Sequence, residues 1–199
     1  MRKLGTIVRL QVQLDSIKSG KKPNERYTPE PNLTSVPVLR LNSDGVHGVT
    51  SSGDLLADVH NRNHPHSKFR GDNGVSVLFT GHYASMRNRF GEHLTDGIAG
   101  ETILVDHDGT VTIDDIRSGI VIRGDGREIV INSWDIAHPC APFSKYCLKF
   151  PEGAKPDKRI TETLQFLENG TRGFVAVYPD ELPEVEIHLG DAVYLIDRA

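Results

Sequence analysis

Cysteine and long hydrophobic runs are scarce in this chain, and both absences narrow what it can be. Two cysteines among 199 residues are too few for a disulfide framework, and they lack the second pair that a two-plus-two zinc site needs. No apolar run approaches the roughly 18 residues that a membrane helix requires. The first residues, Met1 to Leu14, are basic at the start but have neither a long apolar core nor a small-residue cleavage site. We therefore expect a cytoplasmic protein without a membrane partner.

A surplus of positive charge is also missing. The 23 lysines and arginines are outnumbered by 27 acidic residues, which gives a formal net charge of −4. Sequence-independent binding of nucleic acid depends on positive charge, so no nucleic-acid partner is expected. A hydrophobic content of 37% and a charged content of 25% are typical of a globular protein. The length predicts a single domain over 1–199, in which a strand over 5–14 and a loop over 15–35 lead into a core over 36–198.

Strand patterns dominate the remaining sequence. The segment 6–14 alternates apolar and polar residues, and further apolar runs lie at 36–41, 74–79, 173–178 and 192–196. Two Asp-Gly turns predict hairpins, one pairing 102–105 with 110–113 and the other pairing 119–123 with 128–131. Helices are predicted only over 80–90 and 157–169, the second capped by Asp157. Because strict β–α alternation is absent, the predicted fold class is mostly β, a barrel with a few helical excursions.

One short stretch that contains a cysteine, a histidine and two prolines is the most informative part of the sequence, Asp135-Ile136-Ala137-His138-Pro139-Cys140-Ala141-Pro142. The prolines keep Cys140 out of the interior of a strand or helix. The thiolate form is the nucleophile or metal ligand, and a positive neighbour such as His138 favours it. Cys140 is therefore predicted to react or to ligate; the alternative is a half-buried structural cysteine. Cys147 has the pattern of a packing residue, with a resolving role toward Cys140 as the alternative.

Two weaker patterns complete the set of candidates. Histidines cluster at 47, 60, 64 and 66, and clustered imidazoles suit Zn, Cu or Ni. Pro65 breaks the helical spacing that would align two ligands, so solvated loop histidines are the favoured interpretation and only His60 is retained. The glycine turns at 97–101 and 170–173 could bring backbone N–H groups close to an anion, with Arg172 adding a fixed charge.

Taken in order, these segments resemble the MOSC domain, the C-terminal module named after molybdenum cofactor sulfurase. The resemblance covers nearly the whole chain. It is carried by the opening strands at 5–14 and 36–48, Asp58-Val59-His60 followed by 70–79, the turn Leu94-Thr95-Asp96-Gly97-Ile98-Ala99-Gly100-Glu101, the pair Pro139-Cys140, and the hairpin from Thr171-Arg172-Gly173 to Gly190-Asp191. The sequence departs from the family pattern at Asn61-Arg62, where a glycine pair is expected, and at Thr102, where asparagine is usual.

The resemblance implies a β-rich barrel and a stand-alone member of the family. It implies that Cys140 ligates the molybdenum of a molybdopterin-type cofactor or carries sulfur; pyridoxal phosphate is not expected. The residues expected around the cofactor are His60, Arg62, Glu101, His138 and Arg172. Three functions stay open: reduction of N-hydroxylated small molecules with electrons from a separate reductase protein, relay of persulfide sulfur from a cysteine desulfurase, and non-catalytic binding of a small molecule. The sequence does not determine the oligomeric state.

Overall fold

A computed structural model describes residues 1–22 and 24–197, so the last residue of the predicted core and the last two of the predicted domain lie outside the described residues. Within that part the chain is mostly β, as predicted, with a curled half-barrel sheet and a few helices. The strands are β1 (Arg2–Gln13), β2 (Lys18–Ser19), β3 (Arg26–Tyr27), β4 (Leu33–Ser35), β5 (Val38–Asn42), β6 (Gly45–Val49), β7 (Leu55–Ala57), β8 (Val75–Phe79), β9 (Ile103–Asp106), β10 (Ile120–Gly124), β11 (Arg127–Ile131), β12 (Asp135–Ile136), β13 (Phe174–Ala176), β14 (Val185–His188) and β15 (Ala192–Leu195). The helices are α1 (Thr80–Phe90), α2 (Ile113–Ile116), α3 (Ala141–Cys147) and α4 (Lys158–Leu167).

The main sheet is organised around the long strand β1. Its strand order is β11-β10-β15-β1-β9-β8-β13-β12, with β4 added beside β1. Neighbouring strands are antiparallel except for β8 and β9, which are parallel. Because this order runs from β11 at one end to β12 at the other, the predicted barrel is a half-barrel in the described residues.

A second sheet, in the order β14-β5-β6-β7, packs against the first. Gly48 of β6 makes this close approach possible, since a Cβ there would lie 2.9 Å from Val36 Cγ1 and 3.1 Å from Val12 Cγ1. The two sheets share one apolar core, which includes Leu10 of β1 and Leu39 of β5. Its residues come from segments between Leu4 and Leu195. Burial of this apolar surface is the main force that holds the two sheets together.

Both predicted helices are confirmed. Helix α1 follows β8 directly and ends at Gly91, whose φ of 108° is a conformation that favours glycine. Helix α4 begins after Asp157, whose carboxylate accepts the N–H of Arg159 at 2.9 Å. No helix in the described residues has both the length and the apolar character needed to cross a bilayer.

The first hairpin prediction, which paired 102–105 with 110–113, is wrong. Strand β9 pairs with β1 on one side and with β8 on the other, so neither of its edges is available to the segment 110–113. That segment instead enters α2, where Thr112 and Asp115 cap one another reciprocally. The second hairpin is confirmed as β10 and β11, and Asp125 and Gly126 at its tip both have positive φ angles.

The regions between the predicted elements hold more structure than the sequence pattern indicates. The predicted loop over 15–35 contains β4 and the small hairpin of β2 and β3. The sequence pattern does not predict helix α3, because Pro142 indicates a loop when only its neighbours in the sequence are considered. Pro142 lies in the first turn of α3, where the missing N–H costs nothing. The β2–β3 hairpin and the region of α3 both line the cavities described below.

Candidate functional site

A cavity of about 500 Å³ opens between the β2–β3 hairpin, the segment after β7, and the start of α3. It gathers side chains that are far apart in sequence. Four of the six predicted site residues line it: His60, His138, Cys140 and Arg172. Arg62 and Glu101 do not line it, and each is described below.

Cys140 lies immediately before α3 and is half-buried. Its backbone is extended, and its carbonyl accepts the N–H of Ser144 at 3.0 Å. The two prolines therefore act as predicted, because they place this thiol at a helix boundary instead of inside an element. Cys140 borders the open cavity on one side and also packs against the buried apolar cluster that contains Phe143 and Cys147.

Cys147 is more deeply buried than Cys140. It is 1% exposed, and burial raises the pKa of its thiol to about 12. Helix α3 separates the two cysteines by seven positions, which corresponds to a rise of about 10 Å. A disulfide needs Cα atoms within about 7 Å, so the two cannot pair while α3 is intact. This supports the interpretation of Cys147 as a packing residue.

His60 is held in place by a buried carboxylate. Its Nδ1 lies 2.9 Å from Oδ1 of Asp58, and Asp58 is 1% exposed. The same carboxylate accepts the backbone N–H of Gln13 at 2.7 Å and that of His60 at 2.8 Å. A carboxylate acceptor assigns the proton of a neutral imidazole to Nδ1. The Nε2 lone pair of His60 is then the atom left to interact with the contents of the cavity.

His138 lines the cavity at its rim. Its side chain is exposed, and its Nδ1 lies 2.6 Å from Oε1 of Glu168, just beyond the end of α4. An N–H at Nδ1 donates to this carboxylate in the neutral ring as well as in the charged one, and exposure to water weakens the contact. His138 is therefore placed to contact a ligand at the mouth of the cavity more than to act on the Cys140 thiol.

Arg172 supplies a cation in the wall next to Cys140. Its guanidinium donates to the carbonyl of Ala99 and lies over the ring of Phe143, 4.9 Å from the centroid. Burial alone would lower the pKa of Arg172, but neighbouring Tyr27 and Cys140 outweigh burial and raise it. Arg172 thus stays charged, and an anion entering the cavity meets a positive group that is already positioned.

Glu101 lies behind the wall, not in the cavity. It is 2% exposed, and both its carboxylate oxygens accept from the hydroxyl of Tyr83, at 3.0 and 2.9 Å. The Tyr83 hydroxyl in turn accepts the N–H of Ala99 at 2.9 Å. Burial raises the pKa of Glu101 to about 7, against the opposing effects of its hydrogen bonds and of Arg172. Glu101 therefore fixes the turn at 95–101 and does not contact a ligand directly.

Arg62, the other arginine expected to bind the cofactor, does not line the cavity. Its side chain points toward Asp44, with 3.7 Å between Nε and Oδ1, and covers the ring of Phe69 at 5.0 Å from the centroid. Phe69 is itself part of the cavity wall. Arg62 thus supports the wall from outside and is not placed to bind a cofactor phosphate.

Sequence reasoning missed most of the positive charge around the cavity. Lys18, Lys68 and Arg70 line it together with Arg172, against the single carboxylate of Glu25. Lysine and arginine recur in 15–35 and 62–70, but nothing in a loop pattern shows that the two segments converge. A concave surface lined mainly by cations concentrates anions. No group of three His, Cys, Asp or Glu side chains suited to a metal ion occurs in the part of the chain that the structure covers.

Comparison with solved structures identifies proteins that share the fold of this chain. The chain shares its fold with YuaD. This protein from Bacillus subtilis is 12% identical, with 95% of this chain and 93% of YuaD covered at a TM-score of 0.55. A hypothetical protein of known structure is 14% identical, with 98% and 70% covered at a TM-score of 0.53.

A third structure, YiiM from Escherichia coli, is 16% identical, with 96% and 71% covered at a TM-score of 0.48. No protein-family model matches the chain, and no curated protein matches its sequence. The likeness to the first two structures, at 12% and 14% identity, shows a common fold and leaves function to the site itself.

Proposed function

We propose that this chain is a MOSC-type protein that binds a molybdopterin-type cofactor in the cavity beside Cys140, with the Cys140 thiolate as a ligand of the molybdenum. The observation that carries the proposal is a half-buried thiol opening into a cavity lined by four cationic side chains and one carboxylate. The sequence resemblance suggests the family, and the β-rich half-barrel is compatible with it.

The residues present fit such a group on two grounds. A pterin phosphate needs positive charge, which Arg172, Lys68 and Arg70 provide among the residues that line the cavity. A bare metal ion would need several protein ligands, and no cluster of three exists in the described residues. A metal that arrives with an organic cofactor brings most of its own ligands, so one protein thiolate is enough.

The chain's own residues then have separate tasks. Cys140 would bind the metal, His60 would offer its Nε2 as a hydrogen-bond acceptor, and Arg172 would hold the anionic end of the cofactor. The bound cofactor would supply two-electron chemistry, such as removal of oxygen from an N-hydroxylated compound with electrons from a separate reductase. Asp58 acts as a positioning residue, because its carboxylate sets which nitrogen of His60 carries the proton.

Metal and pterin analysis tests the proposal. The protein is produced in a host that makes the cofactor, then analysed for molybdenum and for the fluorescence of oxidised pterin. We expect molybdenum in the wild type and in the control variant Cys147→Ala. We expect no molybdenum in Cys140→Ser. We expect a smaller amount of bound pterin in Arg172→Gln than in the wild type. Wild-type protein that is folded but consistently empty, or a Cys140→Ser variant that keeps its molybdenum, would contradict the proposal.

A persulfide relay is the second candidate, and the contrast between the two thiols favours it. Cys140 borders the cavity described above, whereas Cys147 is buried and the pKa of its thiol is raised. Sulfur transfer from a cysteine desulfurase requires an accessible thiolate and no metal. Incubation of metal-free protein with desulfurase and cysteine should then give a trappable persulfide on Cys140. Equal labelling of Cys147 would exclude a specific relay, and absence of both activities would leave non-catalytic binding.

A further inference from the structure

A second cavity of about 700 Å³ lies next to the Cys140 cavity and has no part in the function proposed above. We call it the aromatic cavity, after Tyr27, Tyr146 and Phe150 in its wall. It lies between strand β3 with the preceding turn and helix α3 with the segment that follows. The two cavities share Glu25 and Tyr27. Its volume is within the range of sites that hold small organic ligands.

The aromatic rings are already arranged around the space. Tyr27 and Tyr146 have centroids 5.3 Å apart, and Tyr146 is nearly parallel to the buried ring of Phe143. Arg159 lies over the ring of Phe150, 5.1 Å from its centroid, and so covers one of its faces. Rings held by neighbours on one side offer flat apolar surface on the other, which suits a planar ligand.

Positive charge lies at the edge of this aromatic surface. Arg26, Lys145 and Lys149 line the cavity against the carboxylates of Glu25 and Glu152. Arg26 of β3 pairs with Glu152 of the segment 151–154. Both partners of that pair are exposed, so the pair contributes little and can be exchanged for a ligand. Lys149 has a φ of 46°, a conformation that glycine adopts more easily. A lysine at this position adds a cation to the cavity wall at some cost in backbone strain.

The wall is preformed by backbone hydrogen bonds. The N–H of Lys149 donates to the carbonyl of Tyr146 at 3.0 Å, and the N–H of Phe150 donates to that of Lys145 at 2.8 Å. Pro142 and Pro151 restrict the chain on either side. A ligand therefore does not have to order this segment when it binds, which favours affinity.

We propose that the aromatic cavity binds a planar aromatic anion, a flat ring system that carries a phosphate or a carboxylate. The ring lies against Tyr146 and Phe150, and the anionic group contacts Lys149 and Arg26. The inference concerns binding alone, and it holds whether or not a cofactor occupies the Cys140 cavity.

The probe for the test is 2-naphthyl phosphate, titrated into the full-length protein by calorimetry and by NMR. Neutral 2-naphthol lacks the phosphate, and cyclohexyl phosphate lacks the aromatic ring. Each should therefore bind at least about tenfold more weakly than 2-naphthyl phosphate. Lys149→Gln should weaken the probe about tenfold. Glu152→Gln should tighten it several-fold, because the charge that competes for Arg26 is removed. Lys155→Gln, an exposed change that lies outside the set of lining residues, is the matched control and should have no effect.

Several results would overturn the inference. One is equal affinity for the phosphate and for neutral naphthol, and another is no binding at millimolar probe. A third is loss of affinity in Lys68→Gln with none in Lys149→Gln, which would place the probe in the Cys140 cavity. Lys149 and Glu152 are exposed, so both variants should fold, and thermal melting checks this. The opposite signs expected for the two variants keep the test decisive if one of them is destabilised.

Discussion

Replacement of Glu101 by glutamine tests the electrostatics of the wall behind the Cys140 cavity. Glu101 is buried against Tyr83, and burial raises its pKa from an ordinary value of 4.5 to about 7. In the unfolded chain the carboxyl ionises at its ordinary pKa. Between the two values the folded state holds a proton that the unfolded state has released. The stabilising effect of this neutral carboxyl is therefore fully present below pH 4.5 and is lost as the pH rises through 7.

The magnitude follows from the difference between the two pKa values. Each pH unit of that difference is worth about 1.4 kcal/mol, so the free energy of unfolding falls by about 3 kcal/mol from this group alone. Glu101→Gln keeps an oxygen that accepts from Tyr83 but cannot ionise. We expect the variant to lack this decrease, so that its stability relative to wild type rises by about 3 kcal/mol between pH 4.5 and pH 8.

Urea unfolding of both proteins across this pH range measures the effect. The difference between the two curves is diagnostic, because every other titrating group contributes to both. Glu162→Gln removes an exposed carboxylate on α4 and controls for the change in net charge. Parallel curves for wild type and Glu101→Gln would refute the reasoning, since they would mean that Glu101 ionises alike in the folded and unfolded states.

Three further predictions concern single residues. Iodoacetamide should modify Cys140 in the folded protein and Cys147 only after unfolding, as read by mass spectrometry, because Cys147 is buried with its pKa raised; equal modification would contradict this. Gly173→Ala should destabilise the protein by about 1–3 kcal/mol more than Gly190→Ala, as measured by urea unfolding. Both glycines have φ above 90°, so the backbone strain is similar. A Cβ at Gly173 would lie 2.7 Å from the carbonyl oxygen of Val77, whereas a Cβ at Gly190 would meet nothing within 4 Å. Asp58→Ala should shift the His60 imidazole away from the Nδ1–H tautomer in nitrogen NMR spectra; an unchanged tautomer would show that Asp58 does not set it.

Local patterns predicted those parts of the fold that depend on local chemistry. The helix over 80–90 was recognisable because Gly91 stops it, and the β10–β11 hairpin because Asp125-Gly126 tolerates positive φ angles. The prediction of a hairpin over 102–113 was wrong, although its turn contains the same Asp-Gly pair. What decided it was the pairing of β9 with β1 and β8, which are distant in sequence.

The candidate site divides in the same way. Cys140 was predicted from its prolines, which act on the adjacent backbone, and His60 and Arg172 from a family resemblance carried by short motifs. Arg62 belongs to the same segment as His60, yet it faces Asp44 outside the cavity. Glu101 belongs to the turn that the motif describes, yet Tyr83 holds it behind the wall. Which way a side chain points from a loop depends on contacts that the loop sequence does not contain.

The sequence by itself determined the mostly β character, the two longer helices and the placement of Cys140 at the boundary of an element. These follow from backbone preferences and periodicity, which act within a few residues. Only the tertiary structure decided that the cations at 18, 68, 70 and 172 line the same cavity as that thiol, and that an aromatic cavity lies next to it. Convergence of segments more than a hundred residues apart depends on how the two sheets pack, and packing is a property of the whole chain.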